Sequence, residues 1–131
     1  MKELTCQVLV VGGGPGGYPA AIRAGQLGLD TIIVDRDGLG GTCLNRGCIP
    51  SKAFIHAATK YAEMMEHVGD GALGITLSEA PKFDMAGLTG WKDTIVKKLT
   101  GGVAQLLKAA KVQAIDGWAK SDAADVLAQE Q

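Results

Sequence analysis

The chain has 131 residues, with 13 basic and 14 acidic side chains and a formal net charge of −1. Hydrophobic residues make up 47% of it and charged residues 21%, which is typical of one globular domain and excludes wholesale disorder. The balanced charge includes no basic run, so we expect neither a nucleic-acid nor an anionic-membrane partner. No apolar segment reaches the ~18–20 residues of a membrane span, and no export signal is recognisable, so we expect a cytoplasmic or organelle-matrix protein.

The first part of the chain predicts a β–α–β unit. A continuous apolar run at 7–11 is typical of a strand buried on both faces of a parallel sheet. A helical pattern follows and ends at Gly28. The run T-I-I-V at 31–34 predicts a second buried strand, which ends at Asp35. Strand, glycine turn, helix and strand within about 30 residues make a right-handed unit of two parallel strands.

The rest of the chain predicts two more helices and a third strand. A glycine-rich loop with two cysteines is expected at 38–47, followed by a helix. The apolar face of that helix contains Phe54, Ile55, Ala58, Ala62 and Met65. We interpret 69–90 as an irregular connection, 92–110 as a long amphipathic helix and 112–115 as a strand. The apolar stripe of the long helix contains Ile95, Val96, Leu99, Val103, Leu106 and Leu107. This order predicts an α/β fold with a parallel sheet and flanking helices.

The segment G-G-G-P-G-G at 12–17 satisfies the pattern G-x-G-x-x-G, directly after a strand and at the start of a helix. In this pattern Gly12 permits a tight turn, Gly14 lets a pyrophosphate approach the backbone, and Gly17 lets helix and strand pack closely. Asp35 lies 18 positions after the last of these glycines, where a carboxylate can accept hydrogen bonds from a ribose. The pattern favours a dinucleotide site over a glycine-rich turn without a ligand, but it does not distinguish FAD from NAD.

Two cysteines lie close together in G-G-T-C-L-N-R-G-C-I-P-S-K at 40–52. On a regular helix the Cα atoms of Cys43 and Cys48 would be about 8–9 Å apart, whereas a disulfide needs roughly 4.4–6.8 Å. A bridge therefore requires a distorted segment, and Asn45 and Gly47 are residue types that tolerate one. So small a ring would stabilise the fold only weakly, which favours a redox pair. Two unrelated buried cysteines remain an alternative, as does a metal site, although no second ligand pair has zinc spacing.

The two motifs together resemble those of the pyridine nucleotide-disulfide oxidoreductases. G-G-G-P-G-G-Y at 12–18 and the cysteine motif at 40–52 carry the resemblance, which covers about 4–120 and includes G-W-A-K at 117–120. The cysteine motif is most similar to that of the dihydrolipoyl dehydrogenases, and less similar to those of glutathione and mercuric reductases. The resemblance implies a partial FAD/NAD(P)-binding Rossmann-like domain, with a parallel sheet and flanking helices.

The resemblance also implies site residues. Cys43 and Cys48 would form a redox-active disulfide beside the flavin of FAD, with Cys43 exchanging with the substrate disulfide and Cys48 facing the flavin. Lys52 would lie near the flavin N5, and Gly41 and Thr42 would lie near the pyrophosphate. A cationic lysine and a helix start both favour thiolate over thiol, which agrees with these roles.

The backbone of Ala119 would lie near the adenine of that FAD. The implied reaction is the oxidation of protein-bound dihydrolipoamide by NAD⁺, through the disulfide and the flavin. The implied partners are the lipoyl domain of a 2-oxo acid dehydrogenase complex and a second subunit of a homodimer. No metal is implied.

Three departures from the resembled family stand out. The NAD domain, the interface domain and its histidine–glutamate pair are absent, so we expect the chain alone to be inactive, or to be a non-catalytic remnant that binds FAD weakly. We expect 1–120 to be an incomplete FAD-binding domain and 121–131 a divergent acidic tail, as in a fragment or a disrupted reading frame. Finally, Pro19 lies about one turn inside the phosphate-binding helix. If that helix starts near Pro15, the proline could cost up to ~3 kcal/mol, whereas in the very first turn it would cost little. We expect Pro19→Ala to raise stability or flavin affinity.

Overall fold

Eight helices and strands occur within residues 4–71, 73–122 and 125–130, which are the residues that the computed structural model describes. In chain order they are β1 (Val8–Val11), α1 (Gly17–Gln26), β2 (Thr31–Asp35), α2 (Gly41–Asn45), α3 (Cys48–Met65), α4 (Met85–Ala109), β3 (Gln113–Asp122) and β4 (Asp125–Glu130). The predicted α/β class is confirmed. The loop expected at 38–47 contains the short helix α2, because its glycines precede helices: Gly40 is the N-cap of α2 and Gly47 is the N-cap of α3.

The strands form one sheet in the order β1-β2-β3-β4. β1, β2 and β3 run parallel, with Val10 opposite Ile33 and Ile33 opposite Ala114, as the β–α–β pattern predicts. Because the three strands are parallel, their carboxyl ends meet at one edge of the sheet. Val11, Asp35 and the segment around Gly117 therefore lie together, and this edge carries the candidate site.

The expectation that β1 is buried on both faces is wrong. β1 pairs with β2 alone among the described residues, and its Val11 and Leu9 side chains are 61% and 37% exposed. β2, which lies between two strands, has the fully buried Ile33 at its centre. A continuous apolar run therefore identifies both strands, but it does not tell an edge strand from a central one.

The core lies between the sheet and two helices. Ile33 of β2 packs in one cluster with Ala21 of α1 and with Val103 and Leu107 of α4. A Cβ placed on Gly25 would lie 2.3 Å from the carbonyl oxygen of Ala110, so this glycine lets α1 approach the end of α4. The core thereby fixes α1 against the sheet, and the start of α1 is part of the candidate site.

The apolar faces predicted for the two long helices are only partly buried. In α3, which contacts α4, the buried residues are Pro50 and Ala53, whereas Ile55 and Met65 are 64% and 40% exposed. In α4, Val103 and Leu107 are buried, but Leu99 and Leu106 of the same stripe are 41% and 55% exposed. The predicted helical period is correct, but α3 and α4 bury only a narrow part of their apolar faces against each other.

α4 begins at Met85, well before the expected start near Lys92. Asp84 caps it, with its Oδ1 accepting a hydrogen bond from the Ala86 N–H at 3.0 Å. Gly87 and Gly90 in the first turns weaken the helical pattern in the sequence, which explains the late prediction.

The strands at the end of the chain differ from expectation. β3 runs from Gln113 to Asp122 rather than over 112–115. Residues 125–130, within the segment expected to be a divergent acidic tail, form β4, antiparallel to β3. Residues 123, 124 and 131 of that tail lie outside the described residues. The acidic and alanine-rich composition does not predict β4, because this strand is held by backbone pairing with β3, which does not depend strongly on composition.

Pro19 is the third residue of α1, which begins at Gly17 after the N-cap Gly16. The first four N–H groups of a helix have no partner within the helix, so the missing N–H of Pro19 removes no intrahelical hydrogen bond. The structure therefore shows the first-turn case, in which this proline costs little.

Candidate functional site

A tight glycine turn joins β1 to α1. Gly12 has φ +98°, a conformation that favours glycine, and its N–H donates to the Val34 carbonyl oxygen at 2.8 Å. A Cβ placed on Gly17 would lie only 1.8 Å from the Gly12 carbonyl oxygen. Both glycines are thus required by the backbone path itself, which turns sharply and then packs the first turn of α1 onto β1.

The space at the start of α1 is free of side chains. Gly16 is the N-cap and provides no capping side chain, unlike Asp84 at the start of α4. A Cβ placed on Gly12 or Gly16 would meet nothing within 4 Å, and one on Gly14 would meet only the Cα of Gly41, at 3.8 Å. Bare backbone beside a helix N-terminus is the arrangement that binds phosphate groups.

Asp35, at the end of β2, is held by backbone donors. Its Oδ2 accepts from the Gly13 N–H at 2.6 Å, and its Oδ1 accepts from the Asp37 N–H at 2.8 Å. The carboxylate therefore fixes the glycine turn to the end of β2, a role that the sequence motif did not indicate. An ionised carboxylate has about four acceptor positions, so these two bonds leave room for a ribose hydroxyl.

The second glycine motif packs directly on the first. Gly40, with φ +104°, donates its N–H to the Gly13 carbonyl oxygen at 2.8 Å. A Cβ placed on Gly41, whose φ is +65°, would lie 2.6 Å from the Cα of Gly14. The two glycine motifs meet backbone to backbone, and this contact brings the cysteine segment to the carboxyl edge of the sheet.

The two motif cysteines lie on different helices. Cys43 is in α2 and Cys48 is the first residue of α3, and the chain turns between them at Arg46 (φ −136°) and Gly47 (φ −117°, ψ −111°). A Cβ placed on Gly47 would lie 3.2 Å from the Cα of Cys43, so this glycine allows the close approach. The expected distortion is confirmed. Cys43, Cys48 and Cys6 are free thiols in the structure, rather than the pair being the disulfide that the resemblance implies.

The Cys43 and Cys48 thiols contact each other. A hydrogen bond with the Cys48 side chain raises the pKa of the Cys43 thiol, and the charge of Lys52 acts in the opposite direction. Lys52 is exposed on α3, one turn after Cys48. The two thiols are therefore close enough to interact, as exchange between a dithiol and a disulfide requires.

Asn45 is a site residue that the sequence analysis missed in this role. Its side-chain amide Nδ2 donates to the carbonyl oxygens of Leu39 at 3.2 Å and Gly41 at 3.0 Å, and more weakly to Gly38 at 3.4 Å. The amide thus ties the loop before α2 to the helix that contains Cys43. Asn45 is of a type that tolerates unusual backbone angles, but it is helical here and acts through its side chain.

A cleft of about 300 Å³ opens at the carboxyl ends of the parallel strands. Three of the expected site residues line it, namely Gly12, Asp35 and Ala119. Arg36 and Trp118 also line it, and the Arg36 guanidinium lies 4.1 Å from the Trp118 ring centroid. The sequence assigned a role to neither of these two, although both are neighbours of expected residues and Trp118 belongs to the segment G-W-A-K. Their exposed cation–π contact gives the cleft a flat wall suited to a planar ring.

The remaining expected residues are near this edge but not in the cleft. Gly14, Gly17 and Gly41 belong to the two glycine motifs that meet backbone to backbone. Thr42 is exposed as the second residue of α2. Among the described residues, no group of three or more His, Cys, Asp or Glu side chains could hold a metal ion. No described helix is both long and apolar enough to cross a membrane.

The family model for pyridine nucleotide-disulphide oxidoreductases matches residues 6–130. The chain belongs to this family. Among curated members, it is 56% identical to the dihydrolipoyl dehydrogenase of Pseudomonas aeruginosa over 117 residues, which are 89% of the chain and 25% of that relative. It is 51% identical to the dihydrolipoyl dehydrogenase of Thermus scotoductus over 116 residues, or 88% of the chain and 24% of the relative.

The fold has the same relatives. The crystal structure of LpdA from Mycobacterium tuberculosis superposes with a TM-score of 0.76 at 26% identity, covering 91% of the chain and 25% of LpdA. The chain therefore spans about a quarter of the length of the oxidoreductases that it matches. The expected Rossmann-like class and the resemblance to dihydrolipoyl dehydrogenases are both confirmed.

Proposed function

We propose that the chain is the FAD-binding and cysteine-bearing part of a dihydrolipoyl dehydrogenase, which oxidises protein-bound dihydrolipoamide with NAD⁺. One observation carries the proposal: the bare phosphate-binding turn and the cysteine segment meet backbone to backbone at Gly14 and Gly41. A dinucleotide bound at that turn is thereby brought next to the segment that contains Cys43 and Cys48. The curated relatives of this part of the chain are dihydrolipoyl dehydrogenases.

The residues present fit FAD. The backbone at Gly12 and Gly16 leaves open space in which a Cβ would meet nothing, as a pyrophosphate requires. The cleft offers Asp35 to a ribose and the Trp118 wall and Ala119 backbone to an adenine. Bound there, FAD would supply a two-electron acceptor for the dithiol and a donor for NAD⁺.

The cysteines supply the exchange chemistry. In the disulfide state, a substrate thiolate attacks one sulfur and the other sulfur leaves as a thiolate. The second substrate thiol then displaces the mixed disulfide, so that the substrate leaves as a disulfide and both protein sulfurs are reduced. We assign the attacked sulfur to Cys43 from the family resemblance. In the chain alone Cys48 is the more exposed of the two, so single-cysteine variants are the test of this assignment.

Lys52 and Thr42 complete the proposed site. The positive charge of Lys52, which lowers the pKa of Cys43, would favour a thiolate and an electron-rich cofactor nearby. Thr42 and Gly41 would bind the pyrophosphate together with the glycine turn. In this proposal, Lys52 and the glycines of the turn both hold anionic or electron-rich groups beside the two sulfurs.

The wider assignments are proposals of the same kind. They are a homodimer, a lipoyl domain of a 2-oxo acid dehydrogenase complex as partner, and a location in the cytoplasm or an organelle matrix. We also propose that 1–120 form an incomplete FAD-binding domain and that the sequence diverges over 121–131, although the family match reaches residue 130. The intact mass of the native product tests this division, since a much heavier polypeptide would overturn it.

The visible spectrum of the purified chain with added FAD tests the function. We expect a bound flavin spectrum that gains a long-wavelength charge-transfer band when a dithiol reduces the Cys43–Cys48 pair. Cys48→Ser should keep the bound flavin and lose the band. A chain that binds no FAD would instead be a non-catalytic remnant. NADPH-linked activity of the completed enzyme with glutathione would assign it to a glutathione-type reductase.

A further inference from the structure

An ion-pair and hydrogen-bond chain connects the cleft with the cysteine segment, and Asp37 is its centre. Asp37 Oδ1 lies 3.2 Å from Nη2 of Arg46, and Asp37 Oδ2 lies 3.4 Å from Nε of Arg36. The backbone N–H of Asp37 donates to Asp35 Oδ1 at 2.8 Å. One carboxylate thus contacts two arginines that belong to different parts of the site.

The two arginines lead in opposite directions. Arg36 lies over the Trp118 ring, which forms the wall of the cleft. Arg46 is the C-cap of α2, and it lies in the short segment between Cys43 and Cys48 where the backbone turns. A ligand that fixes the cleft wall therefore acts, through a single side chain, on the turn that sets the separation of the two sulfurs.

We propose that Asp37 is a positioning residue that couples nucleotide binding in the cleft to the redox equilibrium of Cys43 and Cys48. This rests on the proposed function, because it requires the two sulfurs to be a redox couple. Forming the disulfide draws the two sulfurs to about 2.05 Å and so tightens the turn at Arg46, which the contact with Asp37 holds in its present form. A nucleotide that orders Arg36 and Asp37 accordingly stabilises the dithiol over the disulfide, and by reciprocity the dithiol form binds the nucleotide more tightly.

The size of the coupling follows from exposure. The side chains of Asp37 and Arg46 are 50% and 61% exposed, so their ion pair is screened by water and salt. We therefore expect a shift of about threefold in the dithiol–disulfide equilibrium constant, which is the size of an exposed ion pair and lies below the roughly 5–150-fold typical of couplings between sites. For a two-electron couple this corresponds to a change of about 14 mV in the midpoint potential.

The test is a redox titration of the 131-residue chain with reduced and oxidised dithiothreitol, with and without ADP as the probe of the cleft. The Cys43–Cys48 disulfide takes two electrons and two protons from dithiothreitol, which leaves as its cyclic disulfide. We expect ADP to favour the dithiol about threefold at low salt, and we expect the effect to vanish near 1 M salt, where screening is nearly complete.

Because Asp37 itself lines the cleft, the variants are compared at ADP concentrations that saturate each of them. Asp37→Asn should then abolish the ADP effect, and Asp37→Glu should keep part of it. The matched control is Glu63→Gln, which removes the exposed Lys60–Glu63 ion pair on α3 and should leave the effect unchanged. An undiminished ADP effect in Asp37→Asn overturns the coupling, as does ADP binding without any shift in the wild-type chain. Absence of ADP binding, or of a Cys43–Cys48 couple, overturns the proposed function itself.

Discussion

Gly17→Ala is expected to separate the glycine turn from α1. The added Cβ would lie 1.8 Å from the Gly12 carbonyl oxygen, whereas close contacts of this kind are about 3.3 Å or longer. The backbone must therefore move by roughly 1.5 Å, and no side-chain rotation relieves the clash, because both atoms are fixed to the main chain. Overpacking of a tight site costs about 1–3 kcal/mol, and a clash with backbone belongs at the upper end.

We expect Gly17→Ala to lower the free energy of unfolding by about 3 kcal/mol, measured by urea titration followed through tryptophan fluorescence. The matched control is Gly101→Ala, since Gly101 lies within α4 and a Cβ there meets nothing within 4 Å. That control should raise the free energy of unfolding by up to ~1 kcal/mol, because alanine is the better helix former. Opposite signs for one chemical change are the signature of the predicted contact.

The same clash should act on ligand binding. Because α1 begins at Gly17, displacing it moves the helix start away from the turn that would hold a pyrophosphate. FAD or ADP affinity should fall together with stability in Gly17→Ala and should be unchanged in Gly101→Ala. A loss of less than 1 kcal/mol in Gly17→Ala, with unchanged affinity, would refute the reasoning, because it would mean that the turn has room for the methyl group.

Three further predictions concern single residues. Cys48→Ala should lower the pKa of Cys43 by removing the hydrogen bond that raises it, and Lys52→Gln should raise that pKa. Both pKa values are measured from the pH dependence of Cys43 alkylation, followed by peptide mass spectrometry. Unchanged midpoints would contradict the assigned effects of Cys48 and Lys52 on Cys43. Lys111→Gly should raise the free energy of unfolding by about 1 kcal/mol in urea, because Lys111 ends α4 with φ +59°, a conformation that favours glycine; no gain would show that the lysine side chain compensates. Pro19→Ala should change that free energy by less than ~0.5 kcal/mol, and a clear stabilisation would restore the view that this proline strains α1.

The sequence predicts local features of the fold well where one residue type is required by the backbone. Gly12 and Gly28 both have a positive φ, at the turn and at the end of α1 where the pattern placed them. α4 ends in the same way as α1, but with Lys111 in the glycine position, so residue type alone did not mark that end. Predictions of this kind depend on a positive φ, which a glycine in the sequence indicates and a lysine does not.

Burial was harder to predict, because it depends on which elements become neighbours. The apolar runs of β1 and β2 are alike, yet Val11 is exposed and Ile33 is fully buried, since only β2 lies between two strands. The same reason applies to Leu99 and Leu106, which have the helical period of a core stripe but lie beyond the contact with the sheet. The periodicity of apolar residues predicts which face of an element is apolar, whereas the topology determines which other elements pack on that face.

The candidate site shows why neither motif alone defines a function. The glycine turn without the cysteine motif would be a nucleotide site of unspecified chemistry. The two cysteines without the glycine turn would be a thiol pair with no known redox partner. The structure joins them through contacts that have no sequence signature of their own: the Gly14–Gly41 backbone approach, and the amide of Asn45 that holds the intervening loop. The proposed redox function would therefore depend on the distance between the two motifs, and glycines set that distance because any side chain at position 41 would increase it.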